Sequence, residues 1–413
     1  MKYDNVKVSF IKLGMFHEAV LHEPVIKNEK SSVCVICFHS DGNYMNFPAC
    51  NTLAGKGYLV IAGQVSRQEA TLDDKLLDIK GAIEYAKEKL GAKKVIILGH
   101  SGGATLMSCY QAVAENGCEL YQTGRVIYPM KKLPPLPAAD GFLCIDSNFG
   151  NGVMTAVSVD PAVMDESSGV KLNPEYDVFN PANGFDPAGS RYTAEFKKKY
   201  LAAQAKRVNA IIDRCLERVK ALDAHQGNYF DDEPFIVPGA AVMAPNNKLI
   251  PQDMSLIAHT EEEYDLIHAD GSVTKQIVYS VRKPRGDRSP TPIYGMGAAK
   301  GTARHYITGD AVRLTDEYDI TETGIKGVDW DSSYCCTPGN AKHITCPTLI
   351  MGMTAGYEYL AAEQIYRFCP AEDKEICFVE GATHMITPAG PEYGDTVELT
   401  FARVDKWLEE RFI

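Results

Sequence analysis

The chain has 413 residues, of which 45% are hydrophobic and 23% are charged, and its formal net charge is −12. These values are typical of a globular protein with a large core, built as two domains or as one domain with an insertion. The acidic balance and the lack of a long Lys/Arg cluster argue against nucleic-acid binding, and no apolar run is long enough for a transmembrane helix.

Strand and helix patterns alternate over the first 150 residues. Continuous or alternating apolar runs predict strands, whereas apolar residues at helical spacing predict helices. In chain order the predicted elements are a strand at 6–13, a strand at 32–38, a helix at 47–57, a strand at 58–63, a helix at 72–90, a strand at 94–99, a helix at 102–115 and a strand at 140–146. This alternation predicts an α/β fold with a mostly parallel, doubly wound sheet.

The segment 151–340 has a different composition. It is rich in Pro, Gly, Asn and Tyr, with one long helix pattern at 192–223 and a hairpin-like stretch at 268–281 that contains an Asp-Gly turn signal. The alternation returns near the end as strands at 346–353 and 375–381 and helices at 358–368 and 396–412. We therefore expect a core made of 1–150 and 341–413, with 151–340 as a mainly helical or mixed cap that folds over the sheet.

The cysteines and the N-terminus indicate the compartment. The first residues, MKYDNVKVSFIKLG, lack the basic and apolar segments of a signal peptide. Several of the twelve cysteines lie in apolar runs, where a buried thiol is expected. Cys34 and Cys37 have CxxC spacing, but residues three apart on a strand face opposite ways and do not easily share a metal. We expect a cytoplasmic, reduced protein without a disulfide or a metal site.

Residues 95–104, VIILGHSGGA, place a serine between glycines at the end of a predicted buried strand. A sharp strand-to-helix turn strains its central residue and needs small neighbours, which Gly99, Gly102 and Gly103 supply. The N-terminus of the following helix directs N–H groups at the space beside Ser101. This context favours a catalytic nucleophile over a plain glycine-rich turn.

A serine nucleophile needs a positioned base. His384, in the stretch VEGATHMITPAG (379–390), follows the last predicted strand in a loop that can reach the same sheet edge. We expect His384 to be the base, rather than a loop histidine without a role. His39 and His100 adjoin the candidate site, and we expect them to line the substrate pocket or to shape its loops.

The base in turn needs a carboxylate that fixes its tautomer. After the predicted strand 346–353, the segment TAGYEYLAAEQI contains no Asp, and Glu358 is its first carboxylate. We expect Glu358 to be the acid; the alternative is a glutamate that only complements a helix dipole. Glu363, or Asp329 or Asp331 from the cap, would be the next candidates.

Backbone donors complete the predicted catalytic site. Gly102, directly after the serine, supplies one N–H group for an oxyanion. The second comes from Ser40 or Asp41, in the loop HSDGNY after an early strand. Both residues are otherwise ordinary components of a turn.

Two aromatic residues are candidates for substrate contact. The stretch VDWDSSYCCTPGN (328–340) leads from the predicted cap back into the core, and residues at such a junction commonly line a pocket. Trp330 and Tyr334 are therefore expected near the substrate. The alternative is that both pack inside the cap.

These motifs resemble those of the α/β-hydrolase superfamily. The resemblance rests on the chain order Ser101…Glu358…His384, the elbow GHSGG, the HSDG that follows an early strand and the terminal GATH, and it covers the predicted core. It implies the α/β-hydrolase fold and the roles of nucleophile, acid and base for the three residues. Glu358 stands where Asp is more frequent, and His39-Ser40 stands where His-Gly is usual.

The leading hypothesis is a serine hydrolase that cleaves a carboxylic ester or lactone of a mid-sized, partly apolar small molecule through an acyl-enzyme. An amidase, an acyltransferase or a carbon–carbon bond hydrolase would use the same residues. A catalytically silent binding protein is the alternative of another class. No cofactor is expected, since the sequence has no dinucleotide fingerprint, and both a monomer and a homo-oligomer remain open.

Overall fold

The computed structural model of the protein describes residues 5–169, 171–242, 249–284 and 297–413. Its β-strands, numbered in chain order, are β1 (Val6–Lys12), β2 (Glu18–Pro24), β3 (Val33–His39), β4 (Leu59–Gln64), β5 (Lys94–His100), β6 (Gly141–Ile145), β7 (Pro234–Pro238), β8 (His259–Ile267), β9 (Val273–Tyr279), β10 (Ala298–Thr302), β11 (Leu314–Ile320), β12 (Ile325–Val328), β13 (Thr348–Met353) and β14 (Lys374–Val379). Its α-helices are α1 (Pro48–Lys56), α2 (Leu72–Glu88), α3 (Gly102–Asn116), α4 (Asn151–Ser158), α5 (Ala194–Asp223), α6 (Leu249–Gln252), α7 (Ala303–Gly309), α8 (Thr337–Ala341), α9 (Ala361–Phe368) and α10 (Thr396–Phe412). The predicted cap includes 170, 243–248 and 285–296, which lie outside the described residues.

A ten-stranded sheet forms the centre of the described part of the chain, in the order β1-β2-β4-β3-β5-β6-β13-β14-β8-β9. Neighbours from β4 to β8 in this order run parallel, while β1, β2 and β9 are antiparallel to their neighbours at the two ends. The apolar run VCVICF keeps β3 buried, as expected of a parallel strand with helices on both faces. The predicted α/β class with a mostly parallel, doubly wound sheet is confirmed.

Alternate side chains of β3 enter two separate cores. Cys34 and Ile36 pack with α2 and α3 on one face, whereas Val33 and Val35 pack with α1 and α10 on the other. Trp407 of α10 is fully buried in the second core. Because burying a large apolar side chain contributes about 1.5–3 kcal/mol, these cores hold firmly in place the strands that carry the candidate site.

Two strands of the segment that the sequence analysis assigned to the cap belong to the central sheet. β8 pairs in parallel with β14, and β9 forms the outermost strand beside it. The stretch 268–281, predicted to be hairpin-like, contains the turn between β8 and β9 and β9 itself, whereas the first strand of this hairpin, β8, precedes it. The run HTEEEYDLI carries exposed charges, which are compatible with a strand near a sheet edge. Because of these charges, the run was not predicted as a strand from the sequence. The division into core and cap domains stays a prediction.

The other described residues of the insertion include α4 to α7, most of α8 and two small sheets. α5 begins after Thr193, whose side chain accepts a hydrogen bond from the N–H of Phe196, the usual way to satisfy a free helical donor. β7 pairs with β10, and β11 pairs with β12. Over the described ranges, no helix is both long and apolar enough to cross a membrane. All twelve cysteines are free thiols.

Candidate active site

Ser101 occupies a strained turn between β5 and α3. Its backbone has φ 54° and ψ −132°, a conformation that side chains rarely adopt without compensation. A Cβ atom on Gly99 would lie 2.5 Å from Cα of Ala104, and one on Gly103 would lie 2.6 Å from the carbonyl oxygen of Phe38. Only glycine therefore allows α3 to start so close to β3 and β5. The predicted elbow is present, and Ser101 lines a cavity above it.

Gly102 is the first residue of α3, so its N–H group lies at the positive end of the helix dipole. A Cβ atom at this position would lie 2.7 Å from Oδ1 of Asn151 and 2.8 Å from Oγ of Ser40. The Gly102 backbone is thus adjacent to the loop after β3, as the predicted oxyanion site requires.

The hydrogen bonds in the loop after β3 determine which of the two predicted residues can be the second oxyanion donor. The N–H groups of Asp41 and Gly42 donate to Nδ1 of His39 over 3.0 and 2.8 Å. Asp41 was predicted as a backbone donor, but its N–H is already engaged within the turn. Ser40 remains as the predicted donor, since it lies beside Gly102 with only 1% of its surface exposed.

The Asp41 carboxylate ties this loop to α2 and α4. Its Oδ2 accepts the Ser40 hydroxyl over 2.5 Å and the Asn151 amide over 3.3 Å. Its Oδ1 accepts Nζ of Lys75, a lysine whose side chain is only 2% exposed, over 3.3 Å. Burial raises the pKa of the Asp41 carboxyl, but the Lys75 charge and the Ser40 hydroxyl outweigh burial and lower it. Asp41 is therefore a charged residue that fixes the loop.

His384 lies in the loop after β14 and lines the same cavity as Ser101. Its Nδ1 lies 2.7 Å from Oδ2 of Asp146 and 2.7 Å from Oε2 of Glu358. Burial opposes a charge on the ring, but the two carboxylates outweigh this and hold the pKa of His384 well above its ordinary value. The structure thus brings the predicted base and the predicted acid together, and it adds a second carboxylate.

Asp146 is the residue that the sequence analysis missed. It follows β6 directly, is completely buried and has φ 41°. Its Oδ1 accepts the N–H of Met353 over 2.8 Å, and its backbone carbonyl accepts the N–H of Ser101 over 3.2 Å. The available signal was an aspartate at the carboxyl end of the strand next to β5, where side chains of parallel strands converge.

Two other histidines are fixed by hydrogen bonds. His100 donates from Nε2 to the carbonyl oxygen of His384 over 2.6 Å, and its Nδ1 accepts the Tyr44 hydroxyl over 2.6 Å. Burial lowers the pKa of His100 well below its ordinary value and that of His39 to about 4, so both are neutral. Each was predicted at the substrate pocket, and each lines the cavity.

The cavity above Ser101 has a volume of about 840 Å³. One part of its wall is apolar and consists of Met154, Ala241, Val242, Ala298, Ala299 and Met385. Another part is polar and consists of Asp41, Gln68, Glu69, Asn151, Lys300, His305 and Asp310. A groove of about 1020 Å³ between α5 and β11 is larger, but it contains none of the catalytic candidates.

Trp330 and Tyr334 do not line this cavity, which corrects the prediction that they contact the substrate. The Trp330 ring packs edge-on against Phe368, with centroids 6.2 Å apart. Tyr334 is 1% exposed and lies 5.5 Å from the Tyr121 ring. The physical reason is that the segment 328–340 ends in α8, which packs on α3 and α9 instead of crossing the cavity.

The remaining predicted acids lie outside the cavity. Glu363, in α9, accepts the backbone N–H groups of Glu261 and Glu262 and pairs with Arg367. Asp331 pairs with Lys342 and Asp329 with Arg125, both at partly exposed positions. Because each of the three carboxylates is engaged in such contacts, we interpret all three as structural groups.

Three side chains at the site could in principle converge on a metal ion. The ligand atoms of His100, Asp146 and His384 lie within 4.8 Å of one another. However, both nitrogens of His100 and Nδ1 of His384 already take part in hydrogen bonds. Because a metal would have to displace those bonds, the arrangement suits proton transfer better than metal binding.

Comparison with known proteins gives distant structural similarity. No protein-family model and no curated protein matches the chain. Esterase B from Lactobacillus Rhamnosis (HN001) is 10% identical with a TM-score of 0.42, and 98% of this chain and 87% of that chain are covered. Est1E from Butyrivibrio proteoclasticus is 12% identical with a TM-score of 0.40 and coverages of 99% and 96%. Proline iminopeptidase from Mycobacterium smegmatis is 12% identical with a TM-score of 0.39 and coverages of 98% and 98%. Because these identities and TM-scores are low, we assign the fold from the strand order and from the turn at Ser101 of this chain.

Proposed function

Because the strand order and the turn at Ser101 give the chain the α/β-hydrolase fold, we propose that it is a serine hydrolase that cleaves a carboxylic ester or lactone. The observation that carries the proposal is that Ser101, on a strained elbow, shares one cavity with a histidine whose Nδ1 is bound to a buried carboxylate. A nucleophile, a base and an orienting acid in this relation form the machinery of acyl transfer.

In the proposed reaction, Oγ of Ser101 attacks the substrate carbonyl carbon while His384 takes the hydroxyl proton. The N–H groups of Gly102 and Ser40 stabilise the oxyanion, aided by the dipole of α3. The imidazolium then gives its proton to the leaving alcohol. In the second half, His384 removes a proton from water, which attacks the acyl-enzyme and releases the acid and the free serine.

The cavity supports a mid-sized, partly apolar substrate. Its volume of about 840 Å³ lies within the usual range for small-molecule sites. The alanines on the side of β7 and β10 leave room for an apolar part of a substrate. The polar wall near His305 and Asp310 suits a part of the substrate that can form hydrogen bonds. Amides and thioesters would use the same residues, so the leaving group must be identified by experiment.

The test is a screen of activated esters, lactones and amides of graded acyl size, with wild type and Ser101→Ala. We expect ester or lactone turnover that Ser101→Ala lowers by on the order of a million-fold. Turnover of amides alone would favour an amidase. A protein that turns over nothing and does not react with a fluorophosphonate would be a binding protein with a silent site.

A further inference from the structure

Two carboxylates meet a single nitrogen of the proposed base. Asp146 Oδ2 and Glu358 Oε2 each lie 2.7 Å from Nδ1 of His384. Nδ1 carries at most one proton, and one N–H group makes one strong, nearly straight hydrogen bond. One carboxylate must therefore act on the ring by another means than accepting that bond.

Asp146 has the geometry of the hydrogen-bond acceptor. Its Oδ2 accepts the Nδ1–H of His384 over 2.7 Å. Its Oδ1 is held by the N–H of Met353, its own N–H donates to the carbonyl of Met351 over 2.7 Å, and its carbonyl accepts the N–H of Ser101. A completely buried group held at four points can orient an imidazole ring relative to the serine beside it.

Glu358 lies equally close but is not hydrogen-bonded in this way. Its Oε2 is buried and, although it lies 2.7 Å from Nδ1, it has no hydrogen-bond partner among the described residues. The residue as a whole is 5% exposed. A carboxylate whose oxygen is shielded from water and lacks a hydrogen bond still acts on an adjacent imidazolium through its charge.

No other charge seen in the described residues faces the ring so closely. The His100 ring, at the end of β5, lies 4.7 Å away between centroids, and His39, at the end of β3, lies in the same cavity wall. Both are neutral, as shown above. Ser101, from the turn after β5, is uncharged. The balance between neutral and charged His384 is therefore controlled by Asp146, from the end of β6, and Glu358, from the loop after β13.

Resting on the proposed function, we propose that Asp146 orients the His384 ring and fixes its tautomer, whereas Glu358 acts through its charge and sets the pH at which the ring becomes a base. Asp146 and Glu358 are thus positioning residues with different tasks. Both carboxylates stabilise the charged form of the ring, so we expect hydrolysis to increase as the solution becomes alkaline.

Three isosteric variants separate the two tasks. The kcat/KM for p-nitrophenyl acetate is measured against pH for wild type, Glu358→Gln, Asp146→Asn and the control Glu363→Gln, a buried glutamate outside the cavity. For Glu358→Gln we expect the midpoint of the alkaline rise to move down by about 1–3 pH units, with the plateau within about threefold of wild type. For Asp146→Asn we expect a plateau about 10⁴-fold lower, as for loss of an orienting acid. Glu363→Gln should match wild type in midpoint and plateau.

A second readout needs no substrate. Proton NMR detects the strongly hydrogen-bonded Nδ1 proton of His384, which should persist in Glu358→Gln with a lower titration midpoint and disappear in Asp146→Asn. If Asp146→Asn does not fold, the comparison of wild type with Glu358→Gln is enough to test the proposed role of Glu358. The proposal is overturned if Glu358→Gln loses the plateau or the Nδ1 resonance, or if its midpoint does not move. A different result would disprove the proposed function, namely that the wild type neither hydrolyses esters nor reacts with a fluorophosphonate. In that case the NMR titration would still test the roles of the two carboxylates.

Discussion

Substituting Gly103 with alanine should damage the site although it places a better helix former in α3. Alanine in a helix is favoured over glycine by roughly 0.5–1 kcal/mol. However, the new Cβ would lie 2.6 Å from the carbonyl oxygen of Phe38, and ordinary contact at about 3.5 Å requires a retreat of roughly 0.9 Å. The obstacle is backbone of the buried strand β3, so α3 must move. Overpacking of this kind costs about 1–3 kcal/mol, and subtracting the gain in helix propensity leaves a net loss of up to about 2.5 kcal/mol.

The displaced element begins directly after Ser101, the proposed nucleophile, so activity should fall more than stability. A misplacement near 1 Å can cost about 10²-fold in rate. We would measure kcat/KM for an activated ester and the free energy of unfolding in urea, with Gly81→Ala in α2 as the matched control. A Cβ there meets only the carbonyl of Leu13 at 3.5 Å, so Gly81→Ala should keep full activity and gain roughly 0.5–1 kcal/mol. Gly103→Ala with wild-type rate and stability would refute the reasoning.

Other consequences can be measured with single variants. Ala299 lies in the cavity wall, so Ala299→Phe should change the relative hydrolysis rates of esters of graded acyl length. Trp330→Ala should leave those relative rates unchanged. The reverse result would contradict the cavity described above. Tyr44→Phe removes the donor to the buried Nδ1 of His100 and should lower the free energy of unfolding by about 1–3 kcal/mol in urea; no change would mean that another donor replaces it. Burial opposes a charge on His305, but Asp310 raises the pKa of His305 to about 9. The stability gained from this pair is present below the unfolded pKa of about 6.5 and lost as pH rises through 9, so between these values thermal stability should decline less in His305→Gln than in wild type.

Local patterns predicted the sheet and the turn that carries Ser101, because both depend on residues adjacent in sequence. The run VIILGHSGG contains the strand, the turn and the small neighbours that the turn needs. Asp146 could not be assigned in the same way, since its role depends on β6 lying between β5 and β13. Glu358 was predicted as the acid because it follows β13 in sequence, but its position beside the same His384 nitrogen as Asp146 is a tertiary property.

Edges and junctions were the harder regions for prediction. β8 lies near the sheet edge, where exposed glutamates are tolerated, so its sequence has little apolar signal. Trp330 and Tyr334 are close in sequence to the end of the insertion, but the chain turns into α8 and buries Tyr334. Proximity in sequence to the core therefore did not place either aromatic ring at the cavity above Ser101.

The proposed function depends on Ser101 being a nucleophile that His384 activates. It is tested most directly by treating the folded protein with a fluorophosphonate and locating the adduct by mass spectrometry of the digested chain, with Ser101→Ala and His384→Ala treated in parallel. We expect one adduct in wild type, on the peptide that contains Ser101, with loss of ester hydrolysis. Ser101→Ala should give no adduct, and labelling should be slowed by at least about 10³-fold in His384→Ala. An unlabelled wild type, an adduct on another serine, or undiminished labelling of His384→Ala would contradict it.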